Sequence, residues 1–271
     1  MLLRRTSAVI GIAAAFSLLS TAVAGSGAAA TPVTVHVAGD STASTYTSAL
    51  APRAGWGQAL PVFFAGGVVT ANEALSGASS KSFVDLGRLD RILSRIKRGD
   101  YLLISFGHND QKKEDPARYT EPSTTYKAYL SQYIDRSRAK GAKPVLVTSV
   151  ERRRFTSTGT ASPSHGAYPA AMRELAAAKG VPLIDLTASS TALWNCAGVE
   201  GTKKYFLHLP AGPWPNYPDG VEDNTHFQAA GAIEVARLVA TALRDQRVLP
   251  HTSFRRLTAP VPASAIAWPE D

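Results

Sequence analysis

A serine that could act as a nucleophile stands at position 41, directly after a short apolar run and the pair Gly39-Asp40. The run, Val33–Ala38, has the composition of a buried strand, and the glycine and aspartate predict a tight turn at its end. The carboxyl edge of a parallel sheet is where open α/β proteins build their sites. Ser41 could therefore attack an ester carbonyl, provided that the chain also supplies a base and donors for an oxyanion.

The base that such a serine needs is a histidine, and two histidines are candidates. Asp223 and His226 are three residues apart, a spacing that lets one turn present a carboxylate to Nδ1 while Nε2 faces Ser41. His108, next to Asn109, is equally conspicuous and is the rival base. The residue types thus predict a serine hydrolase, and the spacing alone leaves the choice of base open.

Alternating strands and helices are predicted to hold these side chains. Apolar runs indicate strands, and helical periodicity indicates amphipathic helices between them, for example over residues 89–96, 126–134 and about 228–246. Near-continuous apolar strands separated by helices favour a mostly parallel sheet that is covered on both faces. The predicted strands are Val33–Ala38, Gly67–Ala71, Tyr101–Phe106, Pro144–Val150 and Val181–Leu186.

The motifs form a pattern of four blocks in a fixed order, Ala38–Thr42, Asn72–Phe83, Phe106–Asp110 and Asp223–Phe227. In these blocks the chain resembles the SGNH (GDSL-type) hydrolase family, and within it the rhamnogalacturonan acetylesterases. Residues 126–134 and 140–155 extend the likeness to nearly all of the chain after residue 30. The resemblance implies a flavodoxin-like, three-layer α/β/α fold with a sheet of about five strands. It also implies the removal of acetyl groups from pectin.

The resemblance further implies roles for individual residues. It makes Ser41 the nucleophile, His226 the base and Asp223 the carboxylate that orients the base. It places the oxyanion donors at the backbone N–H of Ser41, the backbone N–H of Gly77 and the side-chain amide of Asn109. Glycine suits such a donor, because a backbone N–H approaches a substrate most closely where no Cβ intrudes.

Other polar residues near the blocks are given structural roles. Asp40 is predicted to hold the turn through backbone hydrogen bonds, Asp110 to cap the segment that follows it, and His36 to lie in the core. Cys196 is the one cysteine, so no intrachain disulfide is expected. It is predicted to be a half-buried structural thiol near a helix end.

Three segments are predicted along the chain. Residues 1–30 have the pattern of a secretory signal peptide, with Arg4 and Arg5 before an apolar region and small-residue cleavage sites. No second apolar stretch of about 18 residues follows, so no membrane anchor is expected after its removal. Residues 31–250 are predicted to form the hydrolase domain and residues 251–271 a proline-containing tail. The expectation is a secreted, extracellular monomer.

The charge of the chain indicates its partners. The net charge is +8, and it falls to +6 without Arg4 and Arg5 (8 − 2 = 6), which suits an anionic polysaccharide. A cell-envelope protein of arbitrary charge would look the same. Nucleic acid is not expected, because the arginines are not interleaved with aromatic residues. Substrate contacts are predicted for His108 and for Arg152, Arg153 and Arg154, which follow a predicted strand; a solvated charge run is the alternative for the arginines.

The predicted function is that of a secreted serine esterase that removes O-acetyl groups from plant cell-wall polysaccharide, rhamnogalacturonan or pectin, through an acyl-enzyme. The enzymatic alternatives are an esterase for another acetylated glycan, such as xylan, or for short-chain esters or lipids. The non-enzymatic alternative is a glycan-binding protein on the same fold. No metal or cofactor is predicted, because the histidines and the cysteine show no metal-ligand spacing.

Overall fold

The structure is a computed structural model that describes residues 32–270 and, of the preceding segment, only residue 2. The predicted signal peptide, residues 1–30, therefore lies outside the described residues. Within the described part of the chain, no helix combines the length and the apolar character needed to cross a membrane.

A five-stranded parallel sheet forms the centre of the molecule. Its spatial order is β3 (Val68–Asn72), β1 (Val33–Gly39), β4 (Tyr101–Ser105), β5 (Lys143–Val147), β6 (Leu183–Ile184). Counted along the chain, these five strands have the 2-1-3-4-5 order of flavodoxin-like folds. The order reverses between β1 and β4, so a crevice is expected where these two strands end. The prediction of a parallel sheet of about five strands is confirmed. The strands of the chain are β1 (Val33–Gly39), β2 (Arg53–Ala54), β3 (Val68–Asn72), β4 (Tyr101–Ser105), β5 (Lys143–Val147), β6 (Leu183–Ile184), β7 (Phe206–Leu209) and β8 (Val221–Gln228).

Helices cover both faces of the sheet, as the sequence predicts. Strand residues alternate between the two layers, so that Leu103 packs in one apolar cluster and its neighbours Leu102 and Ile104 pack in the other. The last helix begins at Ala229 and ends at Asp245, close to its predicted bounds. The helices are α1 (Trp56–Ala59), α2 (Ser80–Asp85), α3 (Arg88–Leu93), α4 (Lys127–Ala139), α5 (Tyr168–Lys179), α6 (Leu186–Gly201) and α7 (Ala229–Asp245); short turns of other helix types lie at Ser48–Leu50, Leu60–Phe63, Pro122–Tyr126, His251–Ser253 and Ala263–Ala265.

A second sheet, which the sequence did not predict, joins β2, β8 and β7 in antiparallel pairs. Its register is interrupted. Phe206 lies opposite Phe227, but the next residue, Leu207, lies opposite Asp223. Residues 224–226 therefore form a bulge in β8, and bulges of this kind re-aim side chains next to active sites.

Residues 251–270, called the strap below, run along the outside of the core. Phe254 pairs with Phe64, and the N–H of Arg255 donates to the carbonyl of Phe63 at 2.9 Å. Farther along, the Arg237 guanidinium of α7 donates to three strap carbonyls, those of Arg256, Leu257 and Ala259. Ile266 then enters the main apolar cluster, where it is 4% exposed.

The prediction of a half-buried Cys196 is wrong, because Cys196 lies on the exposed side of α6. This helix buries Leu186, Ser190 and Trp194, which are four residues apart and share one face. Cys196 comes two residues after Trp194, about 200° farther around the helix, and so faces away from the core.

Candidate active site

The turn after β1 holds Ser41 at the reversal point of the sheet. The Asp40 carboxylate accepts hydrogen bonds from the Thr42 N–H at 2.9 Å and the Thr42 hydroxyl at 2.8 Å. The Asp40 carbonyl accepts from the N–H of Ala43 and the hydroxyl of Ser44. Asp40 thus has the turn-holding contacts that the sequence predicts. Burial raises the pKa of Asp40 against the opposing effect of the hydrogen bonds from Thr42.

The bulge in β8 brings a histidine and a carboxylate to Ser41. His226 Nε2 lies 2.9 Å from Ser41 Oγ, and His226 Nδ1 lies 2.6 Å from Asp223 Oδ2. The other carboxylate oxygen, Oδ1, accepts from the backbone N–H groups of Thr225 and His226 at 2.7 and 3.0 Å. One local turn therefore presents both side chains, and the three groups form a continuous serine–histidine–aspartate chain.

The surroundings of Asp223 favour its charged form. Partial burial acts to raise the pKa of Asp223, but the hydrogen bonds and charge of His226 and the bonds from two backbone amides outweigh it and lower the pKa to about 2. The carboxylate is accordingly ionised across the neutral range. It fixes the imidazole as an Nδ1–H donor and can stabilise an imidazolium when one forms.

The three groups predicted to bind an oxyanion each have a hydrogen available for an outside acceptor. The N–H groups of Ser41 and Gly77 find no acceptor among residues 32–270. Gly77 has φ +81°, and a Cβ built there would meet nothing closer than the Arg118 guanidinium at 3.8 Å. Asn109 Nδ2 donates one hydrogen to the Ala78 carbonyl at 2.9 Å, which ties the end of β4 to the Gly77 loop and leaves the second hydrogen for another acceptor.

Asp110 binds the start of α2 as well as the segment that follows it. Its carboxylate accepts from the Ser80 N–H at 3.0 Å, from the Ser80 hydroxyl and from the Thr120 hydroxyl at 3.0 Å. The predicted cap on the following segment is therefore only one of its bonds. Complete burial raises the pKa of Asp110 to about 7, against the lowering effect of these hydrogen bonds.

His108 is enclosed rather than presented to solvent. Its side chain lies against His165 with ring centroids 4.3 Å apart, and within the described residues neither ring nitrogen has a hydrogen-bond partner. Burial, together with the charges of His165, Arg152 and His226, holds the pKa of His108 well below its usual range. His108 is therefore a wall of the site, and its burial does not support the predicted contact with substrate.

The three predicted arginines differ in their surroundings. Arg152 is half-buried and donates to the carbonyls of Ser164 and His108 at 3.2 and 3.3 Å. Arg154 is exposed at the surface. The three arginines thus do not form a single charged patch, because Arg152 donates its hydrogen bonds to groups inside the protein.

Arg153 ties the bulge of β8 to its neighbours. Its guanidinium donates to the Asn224 side-chain oxygen at 3.1 Å, to the Thr202 hydroxyl at 3.1 Å and to the Val199 carbonyl at 2.7 Å, and its N–H donates to the Asn224 carbonyl at 2.8 Å. Asn224 directly follows Asp223. Arg153 therefore supports the segment that carries the histidine and the carboxylate, rather than facing outward as the sequence suggests.

Sequence reasoning gave no role to two residues that border this site. The Tyr46 hydroxyl donates to the Ser41 carbonyl at 2.7 Å. Arg118, paired with Asp115, lines a depression of about 350 Å³ that also includes Gly77. Neither residue belongs to a recognisable motif. The one signal in the sequence is that Tyr46 lies close to the first block, five residues after Ser41.

Comparison with known proteins decides the family. The model of the GDSL-like Lipase/Acylhydrolase family matches residues 37–232. The chain belongs to this family. Within it, the chain is 48% identical to the rhamnogalacturonan acetylesterase RhgT of Bacillus subtilis strain 168 over 205 residues, which are 76% of this chain and 87% of the relative. It is 41% identical to the probable rhamnogalacturonan acetylesterase YesY of the same strain, over 76% of this chain and 89% of the relative.

Two solved structures share the fold of this chain. The crystal structure of the Bacillus subtilis protein YxiM matches with a TM-score of 0.69 and 32% identity, over 80% of this chain and 57% of that chain. The acetylxylan esterase Axe2 of Geobacillus stearothermophilus matches with a TM-score of 0.53 and 14% identity, over 78% of this chain and 94% of that chain, and shows the fold alone. The predicted fold, family and enzyme class, a carboxylic ester hydrolase, are confirmed.

Proposed function

We propose that this protein is a secreted serine esterase that removes O-acetyl groups from rhamnogalacturonan or a related pectin through an acyl-enzyme. The observation that carries the proposal is the hydrogen-bonded chain from Ser41 through His226 to Asp223. A glycan-binding protein without catalysis would not need this chain, whereas ester hydrolysis by serine does.

The proposed mechanism follows from the hydrogen bonds that join Ser41, His226 and Asp223. His226 Nε2 takes the proton of Ser41 Oγ as the oxygen attacks the acetyl carbonyl, and Asp223 stabilises the imidazolium. The oxyanion accepts from the N–H groups of Ser41 and Gly77 and from the Asn109 amide. His226 then gives the proton to the departing sugar hydroxyl, which leaves acetyl-Ser41. Water, deprotonated by His226, attacks the acetyl carbonyl; the bond to Ser41 Oγ then breaks, His226 returns the proton to Oγ, and acetate leaves.

The polysaccharide substrate is inferred from the relatives and from charge. The names of RhgT and YesY both describe rhamnogalacturonan acetylesterases, at 48% and 41% identity. The chain carries a net charge of +8, and the galacturonate units of such polymers are anionic. Arg154 is exposed, and Arg118 lines the depression that includes Gly77, so these two side chains are candidates to contact an anionic sugar. Xylan remains the competing substrate, and the likeness to Axe2 in fold alone does not favour it.

Export and organisation belong to the same proposal. Residues 1–30 would direct secretion and be removed, residues 31–250 would form the catalytic domain, and the protein would act as a monomer outside the cell. The signal pattern at Arg4, Arg5 and the apolar region after them supports export.

The test measures acetate release from acetylated rhamnogalacturonan, homogalacturonan and xylan side by side. We expect the rhamnogalacturonan to give the highest kcat/KM, and Ser41→Ala to release no acetate from any of the three. A preference for xylan would change the proposed substrate from pectin to xylan and would not contradict the serine mechanism. Equal acetate release by wild type and Ser41→Ala would remove the mechanism as well.

A further inference from the structure

We propose that residues 266–269 of the strap position the nucleophile, through a chain of hydrogen bonds that leads from Ala267 by way of Gln58 and Tyr46 to Ser41. The inference rests on the serine esterase proposed above and adds positioning residues to it. None of the three side-chain or backbone groups involved is part of the serine–histidine–aspartate chain.

The first link joins Tyr46 to the nucleophile. The Tyr46 hydroxyl donates to the Ser41 carbonyl at 2.7 Å, and the Tyr46 side chain is 5% exposed, so no water competes freely for this bond. The carbonyl belongs to the residue that supplies both the attacking Oγ and one proposed oxyanion N–H. Holding it fixes the peptide plane after Ser41, and displacements of about 1 Å at reacting atoms can cost on the order of a hundredfold in rate.

The second link joins Gln58 to the backbone of Tyr46. Gln58 Oε1 accepts from the Tyr46 N–H at 3.1 Å, and Gln58 Nε2 donates to the Tyr46 carbonyl at 3.1 Å. The second hydrogen of Nε2 is donated to the Ala267 carbonyl at 2.9 Å. Reversing the amide would set its oxygen against two carbonyls. The Ala267 carbonyl therefore reinforces the orientation that the Tyr46 backbone requires, and it anchors the Gln58 side chain to the strap.

The strap is anchored on both sides of Ala267. Ile266 is buried in the main apolar cluster, Trp268 Nε1 donates to the Arg53 carbonyl at 3.0 Å, and the Pro269 carbonyl accepts from the Ser48 N–H at 2.9 Å. The Arg53 guanidinium in turn lies 4.5 Å from the centre of the Tyr46 ring. The far end of the strap, where Phe254 packs on Phe64, makes no hydrogen bond or ring contact with Tyr46 or Gln58 in the described structure.

The experiment compares three single variants of the full chain on a neutral aryl acetate. Tyr46→Phe removes only the hydroxyl and should lower kcat by about tenfold, with KM within about twofold of wild type. Ile266→Ala should lower kcat several-fold, because it loosens the strap beside Ala267. Phe254→Ala is the matched control: it removes an apolar anchor at the other end of the strap and should lower Tm while kcat stays at the wild-type value. All assays are run well below the lowest Tm.

A double variant and a covalent probe complete the design. If Tyr46 and Ile266 act in series, the loss in the double variant should be smaller than the product of the single losses. Labelling of Ser41 by a fluorophosphonate should slow in the same order, and this readout does not depend on the sugar substrate. An unreactive wild type would overturn the proposed function together with this inference. A reactive wild type would overturn the positioning role alone if Tyr46→Phe labelled at the same rate, or if Phe254→Ala lowered kcat as much as Ile266→Ala.

Discussion

The two sides of the active site are held in opposite ways. The nucleophile side, which comprises residues 39–46 with Gly77 and Asn109, is mostly buried, and Ser41 is only 7% exposed. Its supports come from distant parts of the chain, such as Ala78 for Asn109 and Gln58 for Tyr46. The base side, residues 223–226, lies in a bulge of a small sheet, and the Asp223 and His226 side chains are 27% and 23% exposed.

The base side is held mainly by bonds within a single turn, in which Asp223 accepts from residues two and three positions later. Its ties to other elements are the bonds of Arg153 and His208 to Asn224 and the pairing with β7. The difference indicates that the base side depends more on local bonds, and the nucleophile side more on the folding of the whole domain. Changes on the buried side are therefore expected to affect stability and rate together, and changes on the open side to affect rate alone.

The largest effect should come from removing one member of each side. Ser41→Ala and His226→Ala should each lower kcat by about five to six orders of magnitude, because the attack needs both the oxygen and the acceptor of its proton. The double variant should be scarcely slower than either single variant. Initial rates measure the activity, and circular dichroism checks that each variant is folded. Near-normal activity in His226→Ala with a dead His108→Ala would instead make His108 the base.

The next effect isolates the oxyanion donors of the buried side. Asn109→Ala should lower kcat by about two to three orders of magnitude with little change in KM, since the amide binds the oxyanion mainly in the transition state. Because Asn109 also ties Ala78, a lower Tm is expected as well, unlike in His226→Ala. Steady-state kinetics and thermal unfolding check this pair, and a pure KM effect would make Asn109 a ground-state binding residue.

Between about pH 4 and pH 7, a pH effect on stability should come from the buried side. The pKa of Asp110 is raised to about 7 in the folded protein, above its unfolded value, so the folded state binds the proton more tightly. Its contribution to stability is therefore largest near pH 4 and is lost as the pH rises towards 7, by on the order of 4 kcal/mol at most.

Denaturant unfolding of wild type and Asp110→Asn across this range gives the measurement. The advantage of wild type over the variant should shrink as the pH rises from about 4 to about 7. A constant difference would mean that the hydrogen bonds from Ser80 and Thr120 keep Asp110 ionised throughout.

The smallest effect concerns charge at the open side. Arg154→Gln should raise KM for acetylated pectin several-fold and leave KM for a neutral aryl acetate unchanged, because the side chain is exposed and available to a carboxylate. The effect should fade at high salt, since screening at about 0.15 M limits electrostatic reach to roughly 8 Å. Arg98→Gln, an equal charge change next to the opposite edge of the sheet, is the control. An equal rise in KM in both variants would mean that the net charge of the protein, and not a contact made by Arg154, causes the effect.

The parts of the fold that the sequence predicted are those with local causes. The five strands of the central sheet are apolar runs of a few residues, and the pairing of Asp223 with His226 needs only a spacing of three. Both signals lie within short windows of sequence, so no knowledge of distant partners is needed. The oxyanion donors Gly77 and Asn109 come from the resemblance rather than from a local pattern, and their role stays a prediction.

The features that the sequence missed depend on distant partners. The small antiparallel sheet pairs Arg53 with Gln228, and β8 consists largely of polar residues that show no strand-like apolar pattern. The sequence predicts a substrate contact for Arg153, with a solvated charge as the alternative, and does not reveal its partners Thr202 and Asn224, which are about 50 and 70 residues away. Similarly, nothing in the sequence near Gln58 indicates that its amide binds Ala267.

The contacts of the strap also set an order of events during synthesis. Ser41 and Tyr46 leave the ribosome more than 200 residues before Ala267 does, so Gln58 has no partner for one of its hydrogens until the strap has been made. A nascent chain can form the parallel sheet, with its five strands complete by residue 184, well before that point. Docking of the strap therefore follows formation of the sheet, and the proposed positioning of Ser41 is complete only after residues 266–269 have been made.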